Sequence, residues 1–166
     1  GVKPKGERTV VKKKWIFPVL AAIALAAVLL AVFLPGEASP YTVDEPYEYP
    51  TVPGTEAWNA LPGLKEKIEA CHVDTALLES MTTPALVETV ARYPLLINIH
   101  AFDTLEMGVD SVSGYFEGIG ILFRREDAAD CMRSCVRDES LGLSHVERET
   151  LRDLLLYLTG EWPEGC

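Results

Sequence analysis

Residues 15–34, WIFPVLAAIALAAVLLAVFL, form an uninterrupted run without a single charged side chain. A helix of this length spans about 30 Å, the thickness of the hydrocarbon core of a bilayer. Six basic side chains and one acidic one, Glu7, lie between Lys3 and Lys14, directly before the run. This order predicts a cytoplasmic basic arm over residues 1–14, a transmembrane or signal helix over 15–34, and export of all that follows.

The apolar run has two alternative fates. It is longer than the usual apolar segment of a signal peptide, about 7–15 residues, which favours a retained single-pass anchor in the cell membrane. Small residues at Gly36 and Ala38 match the positions that a signal peptidase reads, so secretion after cleavage near Ala38 is the alternative. Both alternatives predict that the C-terminal domain lies outside the cytoplasm.

The part of the chain after the basic arm is strongly acidic. It carries nine basic and 24 acidic residues, a balance of −15. Proteins that bind nucleic acids need clustered Lys and Arg against the phosphates. The composition therefore argues against a nucleic acid as partner.

Residues 35–57, PGEASPYTVDEPYEYPTVPGTEA, contain five prolines, three tyrosines and several acids. Proline-rich segments favour an extended and semi-rigid chain, so a solvated linker is predicted that separates the domain from the membrane. The alternative is a docking peptide rich in tyrosine and acid, because solvated segments of this kind also bind partners.

The region 58–166 has a helical periodicity nearly throughout and predicts an all-α domain of five to seven short helices. A first helix carries an apolar face of Leu61, Leu64, Ile68 and Cys71. A long apolar seam follows, with a break expected near Gly118–Gly120 that divides it into two helices: Phe102, Leu105, Val109, Val112, Phe116, Ile119 and Phe123. The run LLINIHAF at 95–102 is interpreted as helical.

Capping signals delimit several of these helices. Thr83 is predicted as the N-cap of a helix with Pro84 at its first position, and Pro94 is predicted to end that helix. Ser144 and Glu147 have the spacing of a capping box, which predicts the start of the last helix.

Four sequence strings occur in a recognisable order: PGT-x-A-W at 53–58, an apolar residue and Cys at 68 and 71, ESMTTPALVETVARYPLL at 79–96, and FRREDAA at 123–129. On these strings the chain resembles a family of uncharacterised exported proteins of Gram-positive bacteria. The resemblance covers about residues 53–130. It implies an export segment, a proline-rich spacer and a helical domain, and it implies no activity.

Four cysteines, Cys71, Cys131, Cys135 and Cys166, are the first candidates for chemistry. An even number outside the cytoplasm is typical of disulfide bonds, and Cys131 and Cys135 share one helix face at i, i+4. A bridge from Cys71 to either of them, or an intermolecular bridge through Cys166, is open. So is plain core packing, because Cys131 and Cys135 continue an apolar stripe. Their C-x3-C spacing differs from the C-x2-C of zinc and redox sites.

Histidines and carboxylates give no catalytic or metal assignment. His72 follows Cys71 directly, and adjacent helical residues point in different directions, which is unsuitable for a Cys/His pair. Asp103, Glu106 and Asp110 predict a solvated acidic face, because no calcium-binding loop accompanies them. Motifs for nucleotides, zinc proteases and serine hydrolases are absent from the sequence.

The sequence therefore predicts an exported or membrane-anchored, non-catalytic helical domain that binds an envelope protein, without catalytic, cofactor or metal residues. Two alternatives are an exported enzyme with residues gathered from separate helices, and a self-associating structural module.

Overall fold

A computed structural model describes residues 41–160. The predictions for residues 1–14, for the apolar run 15–34 and for Cys166 lie outside the described residues. Within 41–160 no helix is both long and apolar enough to cross a bilayer. The all-α prediction is confirmed for this part of the chain, whose α-helices are α1 Glu56–Ala60, α2 Leu64–Ala70, α3 Thr75–Ser80, α4 Thr83–Ala91, α5 Leu105–Ser113, α6 Glu117–Phe123, α7 Ala128–Arg137 and α8 His145–Thr159.

Residues 41–160 also contain two 3₁₀ helices, Leu96–Ala101 and Glu139–Leu141. With the eight α-helices, this part of the chain contains more helices than the predicted five to seven. One reason is that the predicted first helix is divided. The residues between α1 and α2 include Pro62, which disfavours a helical conformation of the residue before it. As a result Leu64 is exposed, and Cys71 faces the core.

The predicted break near Gly118–Gly120 is wrong by four residues. The seam is interrupted at Gly114–Phe116, and both predicted glycines lie inside α6. Phe116 has an extended backbone, and its buried ring stacks on Tyr93 with 3.9 Å between the ring centroids. This core contact fixes Phe116 outside the helix, which a reading of local helix propensity cannot detect.

Helix α4 lies at the centre of the domain and packs against α6, α7 and α8. Its N-cap is Thr82, one residue earlier than predicted, and the Thr83 hydroxyl donates instead to the Asp127 carboxylate at 2.8 Å. The helix ends before Pro94, as predicted. Leu86, Val87 and Val90 are fully buried, so this short helix is stabilised mainly by packing.

Helix α8 begins with the predicted capping box. The Ser144 hydroxyl accepts a hydrogen bond from the Glu147 N–H, and the Glu147 carboxylate accepts one from the Ser144 N–H. Its buried face consists of Thr150, Leu151, Leu154 and Leu155. These contacts hold α8 against α4, α5 and α7.

Residues 41–51, here called the tyrosine strap, pack along the helical body, where the composition predicted a solvated linker. The N–H groups of Thr42 and Val43 donate to the Ser80 carbonyl at 2.8 and 3.1 Å, and the Thr82 N–H donates to the Val43 carbonyl at 2.8 Å. Val43 thereby forms a parallel bridge with Met81. The tyrosine rings explain the difference, because they bury apolar surface that the proline and acid content of the segment conceals.

Candidate functional site

An open groove lies between α4 and α7, with a volume of about 340 Å³. Most of its surface is apolar, and both cysteines of α7 face it. This is the cysteine groove, lined by Pro84, Glu88, Asp130, Cys131, Ser134, Cys135, Asp138 and Leu141.

Helical spacing places these residues on two facing walls. Cys131 and Cys135 are one turn apart on α7, and Pro84 and Glu88 are one turn apart on α4. Residues 138–141, which contain Leu141, contribute to the lining beyond the end of α7.

Two arginines fix the walls. Nη2 of Arg92 donates to the Leu141 carbonyl at 2.6 Å and to the Glu88 carboxylate at 3.3 Å, which joins α4 to the 3₁₀ helix Glu139–Leu141. Nη1 of Arg148 donates to the carbonyl oxygens of Val136 and Asp138, which joins α8 to the end of α7. The groove is therefore preorganised by side chains that lie outside its apolar lining.

Both thiols of the groove are protonated at neutral pH. Burial raises the pKa of Cys135 to about 11, and the nearby Glu88 carboxylate contributes to the increase. Burial also raises the pKa of Cys131, as do Asp127, which accepts a weak hydrogen bond from its thiol, and Asp130. Because the thiolate is the reactive form, these cysteines are poor nucleophiles.

Helical geometry opposes a disulfide between Cys131 and Cys135. Cβ atoms at i, i+4 of a helix are about 5–6 Å apart, and a disulfide needs about 3.5–4.5 Å. Among residues 41–160, Cys71, Cys131 and Cys135 are free thiols. Cys71 lines a different cavity, and the pairing of Cys166 stays a prediction.

Three carboxylates lie on the rim of the cysteine groove, at Glu88, Asp130 and Asp138. Asp130 forms an ion pair with Arg133 at 2.8 Å. Asp138 accepts hydrogen bonds from the hydroxyl and the N–H of Ser140, which lower the pKa of its carboxyl. The rim therefore presents carboxylate oxygens beside an apolar floor.

Cys71 and His72 line a second cavity of about 110 Å³. The Cys71 side chain is buried, and its thiol lies 3.8 Å from the Thr51 carbonyl, to which it donates. Burial raises the pKa of this thiol as well. A deeply buried, protonated thiol lacks the features of an activated nucleophile.

His100 and Asp153 form a pair that sequence reasoning missed. Nε2 of His100 lies 3.5 Å from the Asp153 carboxylate and 3.5 Å from the Thr150 hydroxyl. A catalytic triad needs the acid and the nucleophile at opposite ring nitrogens, and here both approach the same nitrogen. Only the fold reveals this pair, because its two members are 53 positions apart in the chain.

The predicted acidic trio is solvated. Asp103, Glu106 and Asp110 are all exposed. Within residues 41–160 no group of three or more His, Cys, Asp or Glu side chains has an arrangement that could hold a metal ion. In the described part of the chain, the cysteine groove therefore combines an open apolar surface with fixed walls, an arrangement that suits binding.

No family model, curated protein or solved structure matches this chain. The resemblance to exported helical proteins of Gram-positive bacteria stays a prediction.

Proposed function

We propose that this chain is an exported helical domain, membrane-anchored or secreted, that binds a partner protein at the cell envelope through the cysteine groove. The observation that carries the proposal is the open, mostly apolar groove between α4 and α7, whose walls are fixed by Arg92 and Arg148. Apolar concave surfaces with a few fixed polar groups are typical of binding sites.

Export is supported by the sequence alone. Residues 15–34 are long and apolar enough for a bilayer span, and the basic arm 1–14 precedes them. The resemblance of residues 53–130 to exported helical proteins favours the same location.

The groove suits a protein ligand. Its volume of about 340 Å³ is at the lower end of the range for small-molecule sites, and it accommodates one or two apolar side chains of a partner. The rim carboxylates of Glu88 and Asp130 are already paired with Arg92 and Arg133, so we propose that the apolar anchor, and not the charge of the rim, determines specificity. The balance of −15 over the exported part of the chain adds a long-range attraction to basic partners.

A binding role agrees better with the groove than catalysis does. Its two thiols have raised pKa values, and burial disfavours their reactive thiolate forms. Protonated thiols in an apolar wall behave as small hydrophobic groups, which contribute contact surface to an interface.

Site-specific photocrosslinking in intact envelopes tests this proposal. A photoreactive amino acid replaces Ser134, an exposed residue on the groove wall, in the full chain. The matched control carries the same amino acid at Asp110, an exposed helical residue of α5. We expect a discrete crosslinked protein from position 134 that is missing from position 110.

Equal crosslinking at the two positions would contradict the assignment of the groove as the binding site. If positions 134 and 110 crosslink to the same proteins, in chains with a wild-type circular dichroism spectrum, then the crosslinks from position 134 are non-specific.

A further inference from the structure

The tyrosine strap is seated on the helical body as a separate peptide would be. Its backbone forms three hydrogen bonds with Ser80, the last residue of α3, and Thr82, the N-cap of α4, and the Tyr47 N–H donates to the Thr89 hydroxyl at 2.9 Å. In peptide recognition by strand addition, main-chain hydrogen bonds of this kind supply affinity and alternate side chains supply specificity.

Alternate side chains of the strap indeed have dedicated partners. Tyr47 and Tyr49, two residues apart, are in edge contact with each other, and Tyr49 is in edge contact with Tyr93. The Tyr49 hydroxyl donates to the Thr89 carbonyl at 3.1 Å. The face that receives the strap therefore packs against both tyrosines, and it offers a ring partner and a hydrogen-bond acceptor to Tyr49.

Arg125 provides a third contact of this face. Its guanidinium carbon lies 3.4 Å from the centroid of the Tyr41 ring, within cation–π range. Only 9% of Arg125 is exposed, and its Nη2 donates to the Glu79 carbonyl at 3.1 Å. This arginine is thus held in place by the body and presents its flat surface to a tyrosine.

The strap is joined to the body through a turn that can act as a hinge. The Thr55 N–H and hydroxyl donate to the Val52 carbonyl, and Gly54 has a φ of +90°, a conformation that favours glycine. The outward side chains of Asp44, Glu45 and Glu48 are exposed. Rotation at the turn would release the strap and leave α1 unchanged.

We propose that the strap-binding face is a peptide receptor and that the strap of a second copy of this chain occupies it, producing a strap-exchanged dimer. The second copy fits because every hydrogen bond and ring contact between strap and body can form equally well between two chains. Exchange of an identical element is a low-cost route to a dimer, since each chain releases its own strap and receives an identical one from its partner. The proposal is independent of the cysteine groove.

Complementation between two defective full-length chains tests the proposal. The first chain has a weakened strap, Tyr47→Ala with Tyr49→Ala, and an intact face. The second has an intact strap and a weakened face, Thr89→Val with Arg125→Met. Each alone lacks one half of the contact, and only their mixture contains an intact strap and an intact face on different chains.

We expect a 1:1 dimer in the mixture, measured by native mass spectrometry in mild detergent, and monomers in each separate sample. A synthetic peptide of residues 39–52 should dissociate this dimer, and a scrambled peptide should not. The Cys71 thiol supplies a second readout because it donates to the Thr51 carbonyl of the strap. Its alkylation, measured on the peptide of each chain by mass spectrometry, should be faster in the first chain than in the wild type, and the Cys71 of the first chain should return to the wild-type rate in the mixture.

A mixture that stays monomeric and leaves Cys71 fast to react would overturn the proposal, provided that both chains unfold cooperatively. If the alanine variant fails to fold, Thr42→Pro with Tyr47→Pro replaces it. That variant removes two strap N–H donors and leaves the helical body intact.

Discussion

Gly108 lies in α5 where this helix packs against the 3₁₀ helix Leu96–Ala101. A Cβ added at Gly108 would lie 2.6 Å from the carbonyl carbon of Ile99 and 2.8 Å from its Cα, and closer still to its carbonyl oxygen. Backbone atoms cannot rotate out of the way as a side chain can. Gly108→Ala therefore has to separate α5 from the 3₁₀ helix.

Two opposing effects set the size of the change. Alanine is favoured over glycine inside a helix by about 1 kcal/mol. Overpacking of a core costs about 1–3 kcal/mol, and we take about 3 kcal/mol because the obstructing atoms are backbone and Ile99 is almost fully buried. The expected net loss in the free energy of unfolding is therefore about 2 kcal/mol.

Urea unfolding followed by far-UV circular dichroism measures this loss. Gly120→Ala is the matched control, because Gly120 is also helical and a Cβ there would have Nη1 of Arg124 as its nearest neighbour, at 3.8 Å. The control should gain up to about 1 kcal/mol from helix propensity. A neutral or stabilising Gly108→Ala would refute the close packing of α5 against the 3₁₀ helix.

Three further predictions concern the core and the titrating groups. Leu154→Ala should lower the free energy of unfolding by about 2–5 kcal/mol, because this side chain is fully buried; an unchanged urea midpoint would remove α8 from the core. Alkylation of Cys135, followed by peptide mass spectrometry, should accelerate about tenfold per pH unit up to about pH 11, its raised pKa; a plateau near pH 8.5, as for an ordinary thiol, would contradict the burial of this thiol. Burial raises the pKa of Asp153 in the folded protein; His100 opposes this increase and Glu149 adds to it. The protonated Asp153 side chain therefore stabilises the folded state fully below pH 3.8, and this stabilisation is lost as the pH rises through the pKa of Asp153 in the folded protein. Relative to Asp153→Asn, the wild type should therefore gain stability on acidification toward pH 4, and a difference that is constant with pH would contradict this assignment.

Local patterns predict those helices whose signals lie within a few residues of one another. Helix α8 is the clearest case, because the capping box of Ser144 and Glu147 and the apolar face at Leu151, Leu154 and Leu155 are all local. The interruption at Phe116 could not be predicted in this way, since it depends on a ring stack with Tyr93, 23 residues earlier.

The tyrosine strap illustrates the same limit. Its proline and acid content indicates a solvated segment, and the acidic side chains on its outward face are indeed exposed to solvent. The inward face is decided by Thr89 and Tyr93, which offer a hydrogen-bond partner and a ring about 40 residues away. Tertiary partners at this distance leave no periodic signal in the segment itself.

Only one wall of the cysteine groove could be predicted from the sequence. The i, i+4 spacing of Cys131 and Cys135 predicts that both thiols share one face of α7. The opposite wall, with Pro84 and Glu88, requires the pairing of α4 with α7, which no local pattern specifies.

The most direct test of the proposed function is the affinity of the partner captured from position 134, measured by calorimetry on three chains. Ser134→Trp fills the cysteine groove, and Asp110→Trp places the same bulk on exposed α5. Binding through the groove predicts that Ser134→Trp weakens the affinity at least about tenfold, equivalent to about 1.4 kcal/mol, and that Asp110→Trp matches the wild type. Wild-type affinity in a correctly folded Ser134→Trp chain would contradict the assignment of the groove as the binding site.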